Sequence, residues 1–71
     1  MKKVGQVWRT LNNYKIVVTS RKEADCKGDV CIIYSDGYVF QTNEENDFSF
    51  HELIAEYPSW QEAVISKEFN E

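Results

Sequence analysis

The chain is poor in the residues that usually carry chemistry or covalent staples. It has two cysteines, one histidine, one proline and three glycines in 71 residues. Two thiols, Cys26 and Cys31, are too few for the disulfide-dense scaffolds of small secreted domains. Gly5, Gly28 and Gly37 stand too far apart for a phosphate-cradling loop. No apolar stretch approaches the roughly 18 residues that cross a bilayer. The start, Met1-Lys2-Lys3-Val4-Gly5-Gln6, is positive, but no apolar run follows it, so no signal peptide is read there. These absences lead us to expect a soluble, cytoplasmic protein with both thiols reduced.

Aromatics are abundant. Ten of them (Trp8, Tyr14, Tyr34, Tyr38, Phe40, Phe48, Phe50, Tyr57, Trp60 and Phe69) sit among many Val and Ile residues. A chain this short makes one domain, residues 1–71, and buries only about 60% of its unfolded surface. Rich apolar packing must therefore do what staples do in other small scaffolds.

The charge is uneven. Residues 1–43 carry seven basic and four acidic side chains, residues 44–71 one basic and eight acidic, for a net charge of −4. A solvated surface that keeps the protein in solution accounts for this most simply.

The clearest local signal is Val30-Cys31-Ile32-Ile33-Tyr34-Ser35-Asp36-Gly37-Tyr38-Val39-Phe40. Two β-rich runs flank an Asp-Gly pair, which marks a hairpin. Its turn fits a two-residue type I′ or a type I with a bulge at Gly37. The two differ in register by one residue, so the shared face stays open. Upstream, Val4 to Leu11 and Tyr14 to Ser20 read as strands joined at Asn12-Asn13. If that is a two-residue loop, Trp8 lies opposite Val17. Arg21 to Gly28 is charged and aperiodic, and reads as an exposed mobile loop.

Downstream, Ser49 and Glu52 form a capping-box pattern. Phe50, Leu53, Ile54 and Tyr57 then make an apolar stripe at helical spacing, ended by Pro58. This predicts a short helix between the fourth and fifth strands. Ser59 to Ser66 fits either a helix, with Ser59 and Glu62 as a second capping box, or an edge strand. We take it as the strand, since a fifth strand closes the barrel. Lys67 to Glu71 is expected to fray. The expected core is Trp8, Ile16, Val18, Ile33, Phe40, Phe50, Leu53, Ile54 and Trp60.

Taken together, Gly28 to Phe40, Phe48-Ser49-Phe50-His51-Glu52-Leu53-Ile54 and Tyr57-Pro58-Ser59-Trp60 resemble the YorP-like family of small bacterial prophage and phage proteins. The resemblance covers essentially the whole chain. It implies a mainly β fold, a small five-stranded SH3-like barrel with one short α-helix between strands 4 and 5. It implies no activity and carries over no catalytic or binding residues.

The residues themselves point the same way. A structural zinc wants four ligands, and Cys26, Cys31 and His51 leave that set incomplete. A Cys–His nucleophile needs both groups within hydrogen-bond reach. Cys31 instead reads as a buried strand thiol and His51 as a polar helix position. We therefore expect no enzyme, no cofactor and no metal.

Two binding readings remain. Arg9, Lys15, Arg21, Lys22 and Lys27, near Trp8 or Tyr14, could serve a nucleic-acid-binding small barrel. An isoelectric point of about 4.9 counts against phosphate contacts. The favoured reading is a protein-interaction module touching a host or phage protein, as a monomer or weak dimer, with no membrane involved. Asp29, Asp36, Glu44, Glu45 and Asp47 lie in or near loops that could meet a basic partner. PxxP-type recognition is not expected, because the acidic, aromatic-rich connection used by peptide-binding SH3 domains is here only Asn12-Asn13.

Overall fold

β-branched residues fill the middle of the chain, and they build a sheet. The computed structural model describes the backbone of residues 2–24, 27–43 and 50–71, and the side chains of these residues other than 22–24, 27 and 28. Five strands run β1 (Gln6–Arg9), β2 (Lys15–Ala24), β3 (Lys27–Tyr34), β4 (Val39–Asn43) and β5 (Glu52–Glu56). Two short helices follow, α1 (Trp60–Val64) and α2 (Lys67–Asn70). All strand pairs are antiparallel, in the order β4-β3-β2-β1-β5.

The first hairpin departs from the two-residue expectation. The Thr10 N–H donates to the Tyr14 carbonyl at 2.8 Å and the Asn13 N–H to the Thr10 carbonyl at 3.0 Å. The loop is therefore Leu11-Asn12-Asn13, with Asn13 left-handed at φ 69°. Trp8 consequently faces Ile16, and Val7 faces Val17. A slip of one residue exchanges the two faces of a strand, and this one sets which β1 side chains join each of the two buried clusters.

Arg21 to Ala24 and Lys27 to Gly28, expected as loop, are paired strand. Arg21 pairs with Val30 and the ladder continues to Ala24 opposite Lys27. Strand pairing is a main-chain matter, so charged side chains on both members do not prevent it. Asp25 and Cys26 lie outside the described residues.

The largest correction concerns residues 52–66. The stripe read as a helix is strand β5, and the segment read as a strand is helix α1. Trp8 pairs with Leu53 and Val7 with Ala55, so Ile54 is the extra residue of a β-bulge. Ile54 and Ala55 both pack beneath the helices, while Leu53 belongs to the opposite side. The bulge places consecutive apolar residues on one face and so hides the period of two. Once β5 covers the edge of β1, residues after Pro58 are released from that task. Ser59 caps α1: its Oγ accepts from the Glu62 N–H at 3.3 Å and donates to Glu62 Oε2 at 3.1 Å. Ser49 of the other expected cap lies outside the described residues.

The tail, expected to fray, is helical over Lys67–Asn70. Ser66 Oγ accepts from the Phe69 N–H at 3.3 Å, which starts α2, and Phe69 is 3% exposed. A hydroxyl cap without a downstream Glu leaves little trace in sequence.

Each face of the sheet carries a buried cluster. Val7 and Val17 lie under Ala63 and Phe69, with Ile33, Ile54, Ala55, Tyr57 and Val64 around them. On the reverse side Ile16, Val18, Val30 and Ile32 pack together, flanked by Trp8, Tyr34 and Phe50. Of the expected core, Ile16 and Val18 are fully buried, whereas Phe40, Leu53 and Trp60 are exposed at 42%, 41% and 37%. Phe40 stands on β4, an end strand, and Trp60 opens a helix whose inward residue is Ala63.

Candidate functional site: a tyrosine-lined groove

The Asp36-Gly37 turn fixes the site. The Gly37 N–H donates to the Tyr34 carbonyl at 2.9 Å, and the Tyr34 N–H to the Tyr38 carbonyl at 2.8 Å. Gly37 has φ 94°, and Asp36 is not among the positive-φ residues. A type I′ turn needs positive φ at both central residues, so this is the type I turn with a bulge at Gly37. Asp36 Oδ1 accepts from the Tyr38 N–H at 3.0 Å and ties the loop to the outgoing strand.

That register gathers four rings on one face. Tyr34 lies opposite Ile16, and Ile32 opposite Phe40. Side chains two apart along a strand share its face, which brings Tyr14 beside Tyr34 and Tyr38 beside Phe40. The ring centroids follow as a chain: Tyr14 to Tyr34 6.3 Å, Tyr34 to Tyr38 6.0 Å, Tyr38 to Phe40 6.3 Å. Their interplanar angles are 75°, 54° and 21°, so the rings form a curved wall. With Ser35 and Asp36 they line an open groove of about 400 Å³. Tyr14 and Tyr38 are each 59% exposed, while Tyr34 packs against the Ile16–Ile32 cluster and anchors the wall to the core. Among the described lining residues Asp36 is the one charged group. The surface offers ring faces, hydroxyls and a carboxylate, and none of those residues is a His, Cys or Lys that could make a nucleophile–base pair.

The residues singled out in the sequence are dispersed by comparison. Arg9 Nη1 pairs with Glu52 Oε1 at 2.8 Å, Lys15 Nζ donates to the Glu71 carbonyl at 2.5 Å, and Arg21 Nη1 to the Lys2 carbonyl at 2.9 Å. Arg9 and Lys15 lie opposite one another on the Val7–Val17 face. Arg21 lies opposite Val30, on the other side of the sheet. The side chains of Lys22 and Lys27 lie outside the described residues. Trp8 is structural: its Nε1 donates to Gln6 Oε1 at 3.0 Å, Phe50 stands edge-on at 5.7 Å, and Lys2 Nζ sits 4.3 Å from its ring centre. Cys31 is half-buried on β3 and His51 is exposed before β5, while Cys26 lies outside the described residues. Asp29 Oδ1 accepts from Asn43 Nδ2 at 3.4 Å, and Glu44, Glu45 and Asp47 lie outside the described residues.

Sequence reasoning did not assemble the groove. The signal was Tyr34-Ser35-Asp36-Gly37-Tyr38, which pairs the two tyrosines only under the bulged register. In comparisons with known proteins, no family model, no curated protein and no solved structure matches the chain.

Proposed function

We propose that this chain is a non-enzymatic protein-interaction module that docks a partner protein on the Tyr14–Tyr34–Tyr38–Phe40 groove. One observation carries the reading: four aromatic rings in contact, two of them largely solvent-exposed tyrosines, around an open groove anchored through Tyr34 to a buried cluster. Tyrosine gives large contact area with few rotamers to immobilise, and it is enriched among the residues that dominate interface energies. We place the chain with the YorP-like prophage and phage proteins, as an SH3-like barrel acting in the bacterial cytoplasm on a host or phage protein. The order β4-β3-β2-β1-β5 and the buried clusters on both faces of the sheet support that architecture.

The test is affinity capture from phage-infected cells at low salt, with and without nuclease, using the tagged chain and its Tyr38→Ala variant. A specific protein that survives nuclease and is lost with the variant is expected. Capture unchanged by Tyr38→Ala, or nuclease-sensitive nucleic acid alone, overturns the proposal.

A further inference from the structure

We infer that the groove recognises an arginine side chain of its partner. This rests on the groove being the docking face and names what it selects. Charge complementarity is the argument. The faces of Tyr14, Tyr34, Tyr38 and Phe40 carry the negative lobe of the ring quadrupole, which attracts cations. Asp36 is the one charged group among the described lining residues, and it is an anion. Its bond to the Tyr38 N–H fixes the carboxylate at the Tyr38 backbone without neutralising it.

The open shape selects between cations. A lysine ammonium is compact and strongly hydrated, and an open groove does not strip its water. A guanidinium is weakly hydrated and planar. It stacks on a ring while its edge donates to acceptors in the same plane. Here the acceptors are the Asp36 carboxylate and the hydroxyls of Ser35 and the tyrosines. Phosphate-bearing ligands meet the wrong sign at both the rings and the carboxylate.

The experiment is amide chemical-shift titration of the full chain with a short capped peptide bearing arginines among alanine and serine, and with its twin carrying citrulline at the same places. Citrulline keeps the shape and hydrogen-bonding length but has no charge. We expect shifts centred on Tyr14 and on Tyr34 to Tyr38, and affinity about tenfold weaker for the citrulline twin. Asp36→Asn keeps an acceptor for the Tyr38 N–H and removes only the charge, so it should fold and weaken binding severalfold. Glu62→Gln, at an exposed position of α1 away from the groove lining, should leave affinity unchanged. Equal binding of the two peptides, no binding of either, shifts centred on the acidic helices, or indifference to Asp36→Asn each overturns the arginine reading. Partner capture that depends on Tyr38 but shows no arginine preference keeps the docking surface and removes this specificity.

Discussion

Tyr34 and Tyr38 face each other across the Asp36-Gly37 turn, joined by a 2.8 Å backbone bond and with ring centroids 6.0 Å apart. They are nevertheless unequal. Tyr34 belongs to the core cluster on its face, and Tyr38 projects into solvent. Recognition and stability are therefore separable at this pair. Tyr38→Ala should cost no more than about 1 kcal/mol in urea unfolding. Tyr34→Ala should cost more than about 2 kcal/mol.

The turn itself gives a second expectation. A Cβ at Gly37 would meet open space, so Gly37→Ala is penalised only by its positive φ. A loss of about 1 kcal/mol is expected. Asn13, at the equivalent place in the first hairpin, should accept glycine with a change within about 0.5 kcal/mol. Thermal denaturation of both variants checks this.

Gly5 is constrained by space as well as by φ. Its backbone is at φ 92°, its N–H donates to the Val18 carbonyl at 2.9 Å, and its carbonyl accepts from the Tyr57 N–H at 3.0 Å. An added Cβ would collide with the Tyr57 carbonyl oxygen. Gly5→Ala should lose about 3 kcal/mol or more by chemical denaturation, several times the cost at Gly37.

The C-terminal helices are structural. Phe69→Ala opens a cavity beneath Val7 and Val17 and should cost about 3–4 kcal/mol. Ile65, 81% exposed between the two helices, should accept serine within about 0.5 kcal/mol. Equal unfolding midpoints for the two variants would contradict this placement.

A hydrogen bond from the Tyr57 hydroxyl to Glu68 Oε2 links the end of β5 to α2. It raises the Tyr57 phenol above its ordinary 10.0 and lowers the Glu68 carboxyl below its ordinary 4.5. For Glu68 the folded state prefers the ionised form, so its contribution is complete above 4.5 and fades as pH falls through the lowered value. For Tyr57 the folded state prefers the protonated form, so its contribution is complete below 10.0 and fades as pH rises through the raised value. Tyr57→Phe should lower Tm near neutral pH, and its gap from the parent should close at both extremes. A gap constant from acid to alkali would contradict this origin.

The sheet was legible in sequence where side chains obey a simple period. Tyr14-to-Ser20 and the two runs around Asp36-Gly37 form strands as expected. Legibility failed where a local device breaks the period. The left-handed Asn13 lengthens a loop by one residue and moves Trp8 from Val17 to Ile16. The bulge at Ile54 makes a strand resemble a helical stripe. Ser59 and Glu62 did mark a helix, but the demand for a fifth strand outweighed them until β5 met that demand elsewhere. The groove shared the ambiguity of its turn, because its rings converge in only one of two registers.

The strand order has a kinetic side. The groove hairpin closes between Tyr34 and Tyr38 over a three-residue loop, whereas β5 returns to β1 with Gln6 bonded to Glu56 across 50 positions. Closing a long loop costs more chain entropy and comes later in folding than closing a short one. The β3–β4 part of the groove wall is therefore expected to form early in folding, and β5 with the two helices to be added later on the opposite face. Transient openings of the native protein should run in reverse, shedding the late layer first and leaving the recognition hairpin paired.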